Sequence, residues 1–147
     1  MAKKIALLMV VMMVVAACVF VSCNNDPGNN DGSKETWVTT LTETYKDGNV
    51  TYTETSTMLL ILDGKGNVTA IKNIDTLLAD GVDVTDELSE EDGTVTMTGT
   101  YKATSDRAGT ISFKAAGSSK EISGNYAISG NKLMLSADGE STMFTKK

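Results

Sequence analysis

Apolar and polar residues alternate along most of the chain from residue 37 onward. In the stretch WVTTLTETY, residues 37–45, one face carries Trp37, Thr39, Leu41, Glu43 and Tyr45. Alternation of this kind is typical of β-strands that bury one face. The same period predicts seven further strands, at residues 50–62, 68–74, 94–104, 110–115, 120–129, 132–136 and 140–147.

Short turn-forming stretches separate these strands. Asp-Gly or Gly-Asn pairs occur in four of them, at residues 46–49, 63–67, 130–131 and 138–139, and such pairs favour tight hairpins. The segment DGKGN, 63–67, lacks the ending of a phosphate-binding loop, so we interpret it as a turn. Residues 75–92 are the least strand-like, and we expect a short helix at 75–79 followed by an acidic loop.

Eight strands joined by tight turns predict an all-β fold, an eight-stranded antiparallel up-and-down barrel, because closing the sheet removes its two exposed edges. The interior of a barrel of this size is either filled by side chains or holds one small ligand. Gly99, Ala103 and Gly124 lie on predicted inward faces. These small residues either leave a cavity or mark the bends that close the barrel, and both alternatives stay open.

The N-terminus has the organisation of a secretory signal peptide. Lys3 and Lys4 precede an uncharged apolar stretch, residues 5–21, which ends at Ser22-Cys23. The Ser-Cys ending resembles the bacterial lipobox, which implies cleavage before Cys23 and acylation of its sulfur with chains such as palmitate. Cys18, after Val-Ala-Ala, is the alternative lipobox cysteine, and an uncleaved membrane anchor is a further alternative.

The predicted organisation is therefore a signal peptide at 1–22, a flexible tether at 23–34 and one barrel domain at 35–147. The tether sequence CNNDPGNNDGSK is polar and turn-forming, as a flexible linker is. Asn24 after the cysteine is a residue that bacterial sorting rules associate with the outer membrane. We expect a membrane-anchored lipoprotein of the bacterial cell envelope.

The C-terminal run GNYAISGNKLMLSADGESTMFTKK, residues 124–147, resembles the closing hairpins of bacterial lipocalin-like lipoproteins. Their pattern is Y-x-I-x-G-N-x-L-x-L, followed by D-G and F-T-K. Trp37 is similar to the early Trp of that family, over which a late strand places an Arg; this chain ends in Lys146 and Lys147. The resemblance implies a lipocalin-like barrel with an internal ligand site.

Composition removes several classes of function. The chain has no His, and its two Cys both lie before residue 24, which argues against His-dependent triads and the usual zinc sites. The formal net charge of −6 gives no electrostatic reason to bind nucleic acid. We expect a protein that is not an enzyme and uses no cofactor.

Carboxylates offer two weaker possibilities. Glu43 and Glu54 lie on facing strands of the first hairpin and form either an acid/base pair or, in the interpretation we favour, two solvated positions. Asp80, Asp83 and Asp86 are candidates for a weak cation site in the acidic loop, residues 79–92. A solvated loop is the simpler interpretation, because the spacing of three does not match a calcium-binding loop.

The remaining candidates for a site are inward-facing apolar residues: Trp37, Met97, Tyr101, Phe113 and Tyr126. They predict either a pocket for a small apolar ligand or lipid, or a filled core. The leading hypothesis is ligand binding inside the barrel. The alternative is a filled barrel that presents strand faces or the acidic loop to an envelope or host protein partner.

Overall fold

The computed structural model describes residues 33–147. The predicted signal peptide, both cysteines and residues 23–32 of the predicted tether lie outside the described residues. The strands are β1 (Glu35–Asp47), β2 (Val50–Leu62), β3 (Asn67–Ala79), β4 (Val82–Asp83), β5 (Thr94–Ser105), β6 (Ala108–Ala115), β7 (Ile122–Ser129), β8 (Lys132–Ala137) and β9 (Glu140–Lys146). A 3-10 turn (Thr85–Glu87) and a helical turn, α1 (Glu90–Gly93), follow β4.

The strands form a closed antiparallel barrel, as the alternation predicts. Each long strand pairs with the next along the chain, in the order β1, β2, β3, β5, β6, β7, β8, β9, and β9 returns to β1. The short strand β4 only extends the edge of β3. Closure relies on two residue pairs between β1 and β9, Trp37 with Lys146 and Val38 with Thr145. Beyond Val38, no further pair joins these two strands in residues 33–147.

The helix expected at 75–79 is wrong, because β3 continues as a strand to Ala79. A bulge explains the error. Thr55 and Ser56 on β2 face Thr76 and Ile74, so Asp75 is the extra residue on β3. Asp75 is exposed and accepts a 2.7 Å hydrogen bond from the Thr57 hydroxyl. The extra residue changes the phase of the inward face and hides the strand from a period-two analysis.

Most of the barrel interior is one apolar core. Its buried members come from β1, β2, β3 and β5–β9: Trp37, Met58, Leu60, Leu62, Val68, Ala70, Met97, Ile111, Phe113, Ile122, Tyr126, Leu133, Leu135 and Phe144. All strands of the closed sheet and all residues of this core belong to residues 35–147. A closed sheet around its own core is the property that lets a domain fold alone. No helix in residues 33–147 is long and apolar enough to cross a membrane.

The inward glycines are bends and close contacts. A Cβ atom added to Gly99 would overlap the backbone carbonyl of Ser112, and one added to Gly124 would overlap that of Ser136. Gly99 and Gly124 therefore allow neighbouring strands to approach as the sheet curves. Of the two alternatives, the structure supports bends at both glycines. Ala103 is exposed near the end of β5 and does not belong to the core, so its predicted inward position is wrong.

The two ends of the barrel differ. Strand β1 begins at Glu35, beside the end of β9, and we call this the tether end. The other end holds the β1–β2 turn, Gly48-Asn49, and the acidic loop after Ala79, and we call it the hairpin end. Strands β1, β2 and β3 each have 13 residues, whereas β9 has 7. The first three strands therefore form a tall wall that extends toward the hairpin end.

Candidate functional site

A buried cluster of three charged side chains lies inside the tall wall of the barrel. The Lys72 ammonium donates a 2.8 Å hydrogen bond to Glu43 Oε2 and lies 2.9 Å from Glu54 Oε1. Glu54 is fully buried, and Glu43 and Lys72 are 8% and 9% exposed. The interpretation of Glu43 and Glu54 as solvated positions is therefore wrong.

The strand register explains why these side chains meet. Glu43 and Glu54 are directly paired between β1 and β2, so their side chains leave the sheet on the same face. That face is interior, because Glu43 alternates in phase with Trp37, and Glu54 with Met58 and Leu60. Lys72 belongs to the inward face of β3, in phase with Val68 and Ala70, and its long side chain reaches both carboxylates.

Burial is the largest single influence on the pKa values of Glu43 and Lys72. It raises the pKa of Glu43 above the ordinary value of 4.5, and Lys72 offsets only part of that effect. Glu54 and Glu140 raise the pKa of Glu43 further, as neighbouring like charges do. For Lys72, burial is the largest influence and lowers the pKa, but the two carboxylates together outweigh it, so the pKa of Lys72 is raised.

Several polar atoms next to the cluster are buried without a hydrogen-bond partner in residues 33–147. They are Glu54 Oε2, the Ser56 hydroxyl and the Tyr45 hydroxyl. Burial, with Glu54 as the next contributor, raises the pKa of Tyr45 to about 12. Native structures leave few buried polar groups unpaired, because each costs roughly 1–3 kcal/mol. We call Tyr45, Glu43, Glu54, Ser56 and Lys72 the polar site.

Apolar and aromatic residues surround the polar site. Tyr45 stacks on Tyr52, with ring centroids 5.4 Å apart, one inward position closer to the hairpin end than the two glutamates. Leu77 is paired with Glu54, and Leu41 is paired with Ser56. The site is thus a polar region between an aromatic pair and the apolar core.

The five predicted ligand-contacting residues are brought together in the apolar core. Trp37, Met97, Phe113 and Tyr126 are at most 5% exposed, and the partly buried Tyr101 packs against the same core. The rings of Tyr101 and Tyr126 meet edge to face, with centroids 6.1 Å apart. These residues are close-packed neighbours in this structure.

Trp37 closes the tether end together with two charged residues. The Lys146 ammonium lies 5.6 Å from the centre of the Trp37 ring and 2.6 Å from Glu35 Oε1. An ammonium over an indole face is a cation–π contact.

The first aspartates of the acidic loop accept hydrogen bonds from other residues of the domain. Asp80 accepts a hydrogen bond from the backbone of Thr51, and Asp83 accepts two from Thr85. The Thr85 hydroxyl lowers the pKa of Asp83. Among the side chains that the structure describes, those of residues 33–89 and 92–147, no group of three or more Asp, Glu, His or Cys lies close enough to hold a metal ion. Asp80, Asp83 and Asp86 therefore do not converge on one point.

Lys72 and Ser56 were not predicted as site residues from the sequence. The periodicity contained the information, because Lys72 continues the inward face of Val68 and Ala70, and Ser56 continues that of Met58 and Leu60. No protein-family model, curated protein or solved structure matches this chain.

Proposed function

We propose that the protein is a lipid-anchored protein of the bacterial cell envelope, with a lipocalin-like barrel that binds a small, mainly apolar molecule or lipid. The observation that carries the proposal concerns the part of the barrel interior that borders the apolar core. There, Glu54, Ser56 and Tyr45 bury polar atoms that have no partner within residues 33–147. A bound molecule that meets these atoms and extends along the apolar residues would satisfy both parts of the interior.

The direction of the chain supports an anchored binding protein. Strand β1 begins at the tether end, whereas the polar site lies toward the hairpin end. A chain attached to a membrane through Cys23 would enter the barrel at the tether end. The hairpin end would then face away from the membrane, open to a ligand from the surrounding medium.

Uptake of a neutral apolar fluorophore tests the binding function. We expect N-phenyl-1-naphthylamine to bind residues 33–147 saturably, with one molecule per chain and enhanced emission. An organic extract of the same protein, purified without detergent, should compete for that site. Absence of both saturable uptake and any extractable molecule would overturn the proposal of a binding barrel.

Metabolic labelling tests the anchor. We expect cells given an alkyne analogue of palmitate to label the full chain at Cys23. Cys23→Ser should abolish the label and release the protein from the membrane fraction, whereas Cys18→Ser should leave both unchanged. Labelling that depends on Cys18 instead would show that cleavage occurs before Cys18. Absence of label from the wild-type protein and from both variants would refute the lipid anchor.

A second candidate function, presentation of the acidic loop to a protein partner, is favoured by one observation. Asp83, Asp86 and Glu87 are exposed on the same loop. A surface of one sign of charge attracts a partner surface of the opposite sign. Neutralising Asp83, Asp86 and Glu87 should then abolish capture of an envelope or host partner by the folded barrel, and unchanged capture would refute this function.

A further inference from the structure

We propose that the polar site recognises the positively charged amine of its ligand, so that the barrel prefers cationic amphiphiles over neutral or anionic ones of the same length. This inference rests on the proposed binding function and specifies its ligand class. It follows from the charge balance, the unpartnered atoms and the location of the site.

The charge balance leaves room for one more cation. Two carboxyl groups, Glu43 and Glu54, face one ammonium, Lys72, and all three are at least nine-tenths buried. When both carboxyl groups are ionised, the cluster carries one uncompensated negative charge. Uncompensated charge is costly in the interior of a protein. A ligand ammonium would supply the missing positive charge.

The unpartnered atoms match the hydrogen-bonding needs of an ammonium group, which has donors and no acceptor. Lys72 occupies Glu43 Oε2 and Glu54 Oε1, whereas Glu54 Oε2 accepts nothing from residues 33–147. The hydroxyl oxygens of Ser56 and Tyr45 are also free to accept. The faces of the Tyr45–Tyr52 stack add the aromatic surface that cations favour.

The location of the site adds a long-range attraction. The acidic loop leaves β3 at Ala79, whose neighbour on β2 is Tyr52, so the loop begins beside the polar site. Asp80, Asp83, Asp86 and Glu87 are exposed on that loop. An exposed surface that carries one sign of charge raises the local concentration of ligands of the opposite sign. The same arrangement disfavours carboxylates.

Calorimetric titration of residues 33–147 with three matched eight-carbon probes tests the inference. We expect octylammonium at pH 7 to bind about tenfold or more tightly than octanol, as a charge-assisted hydrogen bond predicts, and octanoate to bind weakest. Glu54→Gln keeps the shape of the side chain and should remove the preference. Asp106→Asn removes the same charge from an exposed turn and should leave the preference intact.

The outcomes separate the two proposals. Equal binding of all three probes would refute the amine preference and leave ligand binding standing. Absence of binding by every probe would count against the binding function itself. An octylammonium preference that survives Glu54→Gln in a protein with wild-type circular dichroism would place recognition outside the polar site and overturn the inference.

Discussion

The ammonium of Lys72 lies 2.9 Å from Glu54, a carboxylate with no exposed surface. Lys72 also hydrogen-bonds Glu43, so a single cation serves two buried carboxyl groups. Buried ion pairs add little net stability relative to an apolar replacement of the whole cluster, but losing one member is costly. This asymmetry determines how the barrel should respond to substitution.

Removing the cation should destabilise the barrel strongly. Lys72→Met leaves both carboxyl groups buried without their partner, and we expect the free energy of unfolding at pH 7 to fall by about 3–5 kcal/mol. The loss should be smaller at pH 5, where Glu43, whose pKa is raised by burial, takes up a proton more readily. Urea unfolding at both pH values measures it.

The matched control for this substitution is Lys114→Met. Lys114 is exposed on β6, so its replacement should change stability by at most about 0.5 kcal/mol. Equal effects of the two substitutions would show that the buried ion pairs do not hold the wall of β1, β2 and β3 together.

The raised pKa of Glu43 predicts a dependence of stability on pH. The folded protein binds this proton more tightly than the unfolded chain, whose Glu43 has the ordinary pKa of 4.5. Glu43 should therefore lower the free energy of unfolding as pH rises from 4.5 through its raised pKa. Glu43→Gln should flatten the slope in that window, which urea unfolding across the range would show.

Two aspartates affect stability in a lower pH range than Glu43 does. Hydrogen bonds lower the pKa of Asp63 and Asp83 below their ordinary value of 3.8, so their contributions to the free energy of unfolding are lost as pH falls below that value.

The matched control for Glu43→Gln is Glu87→Gln, which makes the same change at an exposed position. The wild type, Glu43→Gln and Glu87→Gln would contradict the effect of burial on Glu43 if their free energies of unfolding changed equally with pH above 4.5.

The close approach of strands at Gly99 predicts a steric effect. A Cβ atom there would overlap the backbone of Ser112 on β6, so Gly99→Ala should lower the free energy of unfolding by about 1–3 kcal/mol. Gly93→Ala is the matched control, because a Cβ atom at Gly93 meets no atom of the described residues within 4 Å. Equal stability of the two variants in thermal unfolding would contradict the packing at this bend.

The periodicity of the sequence predicted the barrel because each long strand has one inward face. Trp37, Met97 and Phe113 were correctly assigned to that face, and all three belong to the core. The end of β3 was missed because the bulge at Asp75 changes the phase of alternation. A single extra residue shifts the alternation by one position, so a strict period of two is interrupted at the bulge.

The polar site was harder to predict, because burial of a charge depends on its partner. Glu43 and Glu54 stood in inward phase, but a carboxylate is normally exposed unless it is paired. Lys72, which pairs with them, is 29 residues from Glu43 along the chain. Only the register of β1, β2 and β3 brings the three side chains together, and that register includes the bulge.

Native mass spectrometry of residues 33–147, purified without detergent and then extracted with organic solvent, tests the central claim most directly. A reproducible additional mass that disappears on extraction is the predicted result, and its composition would identify the ligand. The bare chain mass before and after extraction, together with no uptake of added octylammonium, would contradict a binding barrel.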